Sequence, residues 1–154
     1  MAKKDFEAGF LIEDPGMAVP FGITPSALEA LAEGRLRRIN GKYFSMPCIA
    51  LSGLGLQLGF HFKDTQWGLR LNECEVFFED GEDGEDYEAL FPVRQMHLER
   101  SLGSADRVQE TKMKGFKFYR WESGSTVVEH FLRDRFGLEE HISFVNNNCA
   151  SEAP

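Results

Sequence analysis

Two histidines near the carboxyl end of the sequence, His130 and His141, have the spacing that best suits chemistry. If the strands on either side of a loop at 134–137 form a hairpin, the two imidazoles lie directly opposite each other, with Cβ atoms about 5 Å apart. Together with Glu139 they could ligate a metal ion. A similar segment around His61 has no second histidine to complete such a pair. We favour a pair of partly solvated surface residues, and we predict no metal and no cofactor.

The second candidate is an acidic segment, residues 79–88, with the sequence EDGEDGEDYE. Its seven carboxylates account for all but one unit of the net charge of −8. Their spacing does not fit an EF-hand calcium loop. We favour either a solvated connecting loop or a docking surface, because clustered acids attract a basic partner and speed association. Nucleic acid is disfavoured as a partner, since its binding needs cationic groups.

Aromatic side chains at turns can anchor a partner or close a small core. Both alternatives stay open for Trp67, which lies at a predicted turn, whereas Trp121 ends an alternating run and is predicted to lie in the core. A protein partner, for example a basic toxin domain, is therefore expected, and a homodimer is an alternative. The residues predicted to contact the partner are Glu82, Asp83, Glu85, Asp86, Trp67, His130 and His141.

The remaining composition is that of an ordinary globular protein. The chain has 154 residues, of which 42% are hydrophobic and 27% are charged, and it has no apolar run of the roughly 18 residues that a membrane helix needs. Cys48, Cys74 and Cys149 form no metal-binding or disulfide pattern and are expected to be reduced, in a cytoplasmic protein. Because no known catalytic motif occurs, we favour a non-catalytic function.

An internal repeat gives the chain its predicted organisation. Residues 61–69 read HFKDTQWGL and residues 130–138 read HFLRDRFGL, with the same spacing of His-Phe, an aromatic residue and Gly-Leu. Each half is predicted to form one helix followed by a three-stranded meander. The predicted fold class is therefore α+β, with tandem αβββ repeats, one or more antiparallel sheets, and the helices packed on one face.

Local signals place the elements of each repeat. Thr24 and Pro25 are typical of a helix start, and a second helix is expected to begin at Pro92 and to end near Gly103. A slip in the alternation of residues 69–78 predicts a β-bulge near Asn72. The predicted strands cover residues 43–51, 56–63, 69–78, 115–121, 126–133 and 138–145, with a further strand at 6–12. We expect one domain with repeats at about 6–78 and 90–145, an acidic connector at 79–89 and a disordered tail at 146–154.

The helix stops at Gly34 and Gly103 and the meanders closed by residues 67–69 and 136–138 resemble those of small acidic bacterial immunity proteins. The tandem architecture is also similar to that of inhibitors such as the β-lactamase inhibitory protein. This resemblance implies a protein that neutralises a toxin enzyme by covering its surface. The binding residues would then lie on a sheet face or in loops.

A second resemblance concerns the glyoxalase-like, or vicinal-oxygen-chelate, enzymes, which also pair modules of this size. In those enzymes the modules surround a metal held by histidine and glutamate. The corresponding residues on predicted strands here are His61, Glu75, His130 and Glu140. This resemblance implies a metal-dependent enzyme as the alternative function, and a homo-oligomeric structural protein is a further alternative.

Overall fold

The computed structural model describes residues 6–78, 86–113, 115–134 and 137–148 of the chain. These residues form ten strands and two helices. In chain order they are β1 (Gly9–Asp14), β2 (Met17–Pro20), α1 (Pro25–Ala32), β3 (Arg37–Asn40), β4 (Tyr43–Ala50), β5 (Leu54–Thr65), β6 (Gly68–Phe77), α2 (Tyr87–Leu102), β7 (Arg107–Gln109), β8 (Phe118–Ser123), β9 (Thr126–Asp134) and β10 (Leu138–Asn146). Neither described helix is long and apolar enough to cross a membrane.

All ten strands belong to one antiparallel sheet, with the order β2-β1-β4-β5-β6-β10-β9-β8-β7 and with β3 paired to β4. The fold is predominantly β and, more broadly, α+β, which confirms the predicted class at that level. Four strands follow each helix, rather than the predicted three. The short strands β3 and β7, and the hairpin partner β2, were missed because each has only three or four residues.

The first helix forms as its sequence predicts. The Thr24 hydroxyl accepts a hydrogen bond from the backbone N–H of Ala27, and Pro25 occupies the first helical position. The first turn of a helix has backbone N–H groups without partners inside the helix. The Thr24 hydroxyl satisfies one of them, and Pro25 has no N–H group that would need a partner. The helix ends at Ala32, where Glu33 and then Gly34 take positive φ angles of 49° and 84°.

The second helix begins earlier than predicted. It starts at Tyr87, with Asp86 as the N-cap that accepts a hydrogen bond from the N–H of Ala89, and Pro92 lies inside the helix. The predicted start at Pro92 is therefore wrong, because the acidic cap before Tyr87 outweighs the helix-breaking tendency of proline. As a result, the last residues of the predicted connector belong to α2, and residues 79–85 lie outside the described part of the chain.

Both helices pack on the same face of the sheet, where they form a single core. Leu28 of α1 and Leu98 of α2 are fully buried in the same cluster as Phe60 and Phe144 of the sheet. Trp121 is also fully buried, as predicted, and its indole N–H donates a hydrogen bond of 2.8 Å to the carbonyl of Gly103. That bond ties the end of α2 to β8. We call this the helix-covered face and the opposite side of the sheet the open face.

The β9–β10 register differs from the predicted one by one residue. His130 pairs with Ile142, and His141 pairs with Phe131, because the connection runs from Asp134 to Leu138. Successive side chains on a strand point to opposite faces, so a slip of one residue exchanges the faces of a whole strand. His130 therefore lies on the helix-covered face and His141 on the open face, and the predicted histidine pair is wrong.

Other local predictions are confirmed. Residues 126–134 form a strand rather than a helix. The β5–β6 ladder pairs Phe62 with Leu71 and His61 with Glu73, which leaves Asn72 as the extra residue of a bulge.

The predicted tail at 146–154 begins too early. Asn146 is still part of β10, and the N–H of Asn147 donates to the carbonyl of Ser125 at 2.9 Å. The predicted tail therefore does not begin at Asn146, and residues 149–154 lie outside the described residues.

Candidate functional site

Ionisable side chains gather on the open face, where β5, β6 and β10 lie side by side at the centre of the sheet. His61 comes from β5, Glu73 and Glu75 come from β6, and His141 comes from β10. The strand ladders position them, since Glu73 is the cross-strand partner of His61 and Glu75 is the partner of Ser143. We call these four residues the central cluster.

The tightest contact in the central cluster joins His61 to Glu75. The His61 Nε2 atom lies 2.9 Å from Glu75 Oε1, and the Tyr43 ring stacks on the imidazole with 4.5 Å between the centroids. Gly59 makes room for this arrangement, because a Cβ atom there would lie only 2.6 Å from the Tyr43 hydroxyl oxygen. One donor atom each from His61, Glu73 and Glu75 lies within 4.8 Å of the others.

His141 approaches the same carboxylate from the other side. Its Nδ1 atom lies 3.8 Å from Glu75 Oε2, and its Nε2 atom lies 3.0 Å from the Ser143 hydroxyl oxygen. The Nδ1 atom is buried and has no hydrogen-bond partner among the described residues. When the Nε2–H group donates to Ser143, the Nδ1 lone pair therefore points into the central cluster and is free to accept.

The pKa values of the two carboxylates in the central cluster are shifted in opposite directions. Burial raises the pKa of Glu73, and the neighbouring charge of Glu75 adds to this effect. Burial by itself also raises the pKa of Glu75, but the hydrogen bond and charge of His61, helped by His141 and Arg133, bring it below its usual value. The pKa of His61 is raised, chiefly by its hydrogen bond to Glu75.

A second cluster lies on the helix-covered face, around His130. The His130 Nε2 atom lies 2.6 Å from Glu140 Oε2, its Nδ1 atom lies 2.9 Å from Gln95 Oε1, and Phe91 stacks on the ring at 4.0 Å. The other Glu140 oxygen accepts a hydrogen bond from Arg94. His130 is fully buried, and burial is the main cause of its lowered pKa. This buried network connects α2 to the sheet.

The structure thus separates residues that the sequence had grouped. His61 and Glu75 share the open face, whereas His130 and Glu140 lie on the other side of the sheet, so they do not form one metal site. The prediction that His130 contacts a partner is wrong because no part of its side chain is exposed. Trp67 is 41% exposed at the β5–β6 turn. Of the predicted acidic contacts, Asp86 caps α2, and Glu82, Asp83 and Glu85 lie outside the described residues.

Sequence reasoning missed the part played by Glu73, although the alternation of Glu73 and Glu75 around Cys74 was visible as a signal. It also missed Arg94 and Gln95, because polar residues on the buried side of a helix look like surface positions until their partners are known. The predicted burial of two cysteines is confirmed. Burial raises the pKa of Cys48 to about 11, which makes its thiol unreactive.

A cleft of about 430 Å³ lies beside the last residues of β6 and the first residues of β10. Glu75 and Arg133 form part of its wall on the open face, and Arg94 and Glu140 form part of it below. Glu75 is therefore accessible from this cleft.

Comparison with known proteins gives little further information. No protein-family model matches the chain, and no curated protein is detectably similar to it. Among solved structures, the chain is similar to a DUF4309 family protein (YjgB) from Bacillus subtilis subsp. subtilis str. 168, with 17% identity and a TM-score of 0.43 over 80% of this chain and 78% of that one.

Proposed function

We propose that the chain is a non-catalytic protein-binding module, an immunity protein or inhibitor that neutralises a toxin enzyme by covering its surface. The observation that carries this proposal is the open face, which both helices leave uncovered. A broad sheet surface with aromatic and charged side chains is well suited to contact another protein. Phe77 and Ile49 are each 40% exposed on this face.

Charge supports a basic partner. The chain carries a net charge of −8, most of it in residues 79–88, and the centre of the open face adds the carboxylates of Glu73 and Glu75. Opposite charges on a partner would steer association and raise its rate. A cytoplasmic location is part of the same proposal, and the free, buried thiols of Cys48 and Cys74 are consistent with it.

We also infer that the fold arose by duplication of one helix followed by four strands. In support, β3 to β6 and β7 to β10 run in opposite order across the sheet and meet where β6 pairs with β10. The matching His-Phe pairs are not equivalent in detail, because His61 lies on the open face and His130 on the helix-covered face. The two hairpins differ by one residue in loop length and by the bulge at Asn72.

The test compares two matched charge insertions on opposite faces. Phe77→Lys lies on the open face and Val93→Lys on the outer side of α2, and the two native side chains are 40% and 43% exposed. A partner is first recovered from the source cell with the full-length chain as bait, and its affinity for each purified variant is then measured. We expect Phe77→Lys to weaken binding at least tenfold and Val93→Lys to leave it unchanged.

A second variant addresses the acidic segment. Reversal of charge at Asp83 and Glu85 should slow association and reduce its dependence on salt. Reversal at Asp86 as well is expected to add to this effect, but it also removes the cap of α2, so that triple variant is compared only after circular dichroism has shown an intact fold.

Equal affinities for Phe77→Lys and the native chain would remove the open face from the proposal. Self-association through that face, detected by sedimentation and lost in Phe77→Lys, would instead establish the homo-oligomeric alternative.

A further inference from the structure

The geometry of the central cluster points to a binding site for one zinc ion, formed by three ligands on the open face, His61, Glu73 and Glu75. His141 lies outside this group of donor atoms, next to Glu75. This inference does not depend on the proposed protein partner. It differs from both sequence-based metal hypotheses, because those required His130, which lies on the other side of the sheet.

Distance is the first argument. Zinc binds imidazole nitrogen and carboxylate oxygen at about 2.0–2.2 Å, so the ligands of a tetrahedral site lie roughly 3.3–3.5 Å apart. The donor atoms of His61, Glu73 and Glu75 already lie within 4.8 Å of one another. Small side-chain rotations would therefore close the site, while the paired strands β5 and β6 hold the backbone in place.

The second argument is the orientation of His141. The ligands of bound metals are commonly held in place by hydrogen bonds from groups that do not themselves touch the metal. The Nε2 atom of His141 lies 3.0 Å from the Ser143 hydroxyl oxygen, which fixes the ring beside Glu75. The buried Nδ1 atom, with no partner among the described residues, faces Glu75 Oε2 at 3.8 Å. A small shift would let His141 hydrogen-bond to Glu75 and hold this carboxylate towards the ion, so His141 is a positioning residue rather than a ligand.

Charge supplies the third argument. Two partly buried carboxylates, Glu73 and Glu75, lie on the same face of one strand and repel each other. A divalent cation between them would remove this repulsion. The mixed nitrogen and oxygen donor set favours zinc or a similar transition metal over calcium or magnesium, which prefer oxygen alone. Glu75 is accessible to the ion from the cleft beside it.

The experiment titrates Zn²⁺ into the untagged, full-length chain after treatment with a chelator, with calorimetric detection. We expect one ion per chain. Loss of a group that only supports a ligand costs about 10–100-fold in metal affinity, so Glu73→Gln, which removes a ligand, should weaken binding by at least about tenfold. Circular dichroism checks that this variant keeps its fold. Glu129→Gln, on the same face but two strands away from Glu73, is the matched control and should bind zinc as the native chain does.

Two further measurements make the assignment specific. The double variant His61→Gln/Glu75→Gln should lose stoichiometric binding, with circular dichroism as the check on folding. The Co²⁺ complex should show visible d–d bands without a thiolate charge-transfer band, since all three protein ligands offer nitrogen or oxygen. The absence of stoichiometric zinc binding, an unchanged affinity in Glu73→Gln or a thiolate band would each overturn the assignment.

Discussion

The buried ion pair between Arg94 and Glu140 allows a quantitative test of how α2 is held on the sheet. Both side chains are only 4% exposed, and Glu140 also contacts His130 at 2.6 Å. Glu140→Gln keeps the size and shape of the side chain but removes the negative charge that lies against the buried guanidinium of Arg94. The Phe78 ring, 3.6 Å from the Arg94 guanidinium carbon, does not replace that charge.

The expected loss follows from the burial of the pair. Removal of one partner from a buried ion pair costs about 3–5 kcal/mol, because an attraction between charges is strong in a medium of low polarity and its loss is not made up by water. The matched control is the neighbouring pair of Glu139 with Arg133, at 3.0 Å, with side chains 42% and 38% exposed. Exposed pairs contribute about 0.2–1 kcal/mol, so Glu139→Gln should cost no more than that.

Urea unfolding followed by tryptophan fluorescence measures both variants, because Trp121 is fully buried in the folded chain. With a denaturant dependence of about 2 kcal/mol per molar urea, Glu140→Gln should lower the midpoint by about 1.5–2.5 M, and Glu139→Gln by at most about 0.5 M. If the two variants unfold at the same urea concentration, the ion pair does not stabilise the contact between α2 and the sheet, and our reasoning about the buried network is refuted.

Two further predictions concern His130 and the first helix. Burial lowers the pKa of His130 in the folded chain, so its contribution to stability is fully present above the ordinary histidine pKa of about 6.5. This contribution is lost as the pH falls towards the folded pKa, by at most about 1.4 kcal/mol per pH unit. Between pH 7.5 and 5, the free energy of unfolding should therefore fall less steeply in His130→Gln than in the native chain. Parallel profiles for the two proteins would contradict this prediction. Thr24→Ala removes the cap of α1 and should cost about 1 kcal/mol, whereas Ser26→Ala, two residues later, should change the thermal unfolding midpoint much less.

The sequence was a good guide to local structure. Alternation and turn residues located all the long strands, and Thr24 with Pro25 marked the start of α1, because these signals depend only on neighbouring residues. Even the bulge at Asn72 was visible as a slip in the alternation. The start of α2 was misplaced because the effects of Asp86 and Pro92 oppose each other, and their balance depends on how the helix packs on the sheet.

The candidate site was much less predictable. His61 belongs to the same site as residues of β6 and β10, and no local pattern shows that β6 pairs with β10 at the centre of the sheet. His130 and His141 were expected on one face because Asp134 was assigned to the hairpin loop, whereas in the structure it pairs with Leu138. The buried role of Arg94 was also hidden, since a charged residue on a helix is usually exposed.

The sequence alone determined which segments become the long strands, where α1 begins, where the negative charge lies, and that two similar histidine-containing hairpins exist. Tertiary structure decided which side of the sheet each histidine faces and which carboxylates lie beside it. The physical reason is the two-residue period of a strand: a shift of one residue in pairing exchanges the two faces, and only the packing of the whole core selects the register. That packing buried His130 beneath α2 and placed His61 and His141 on the open face with Glu73 and Glu75.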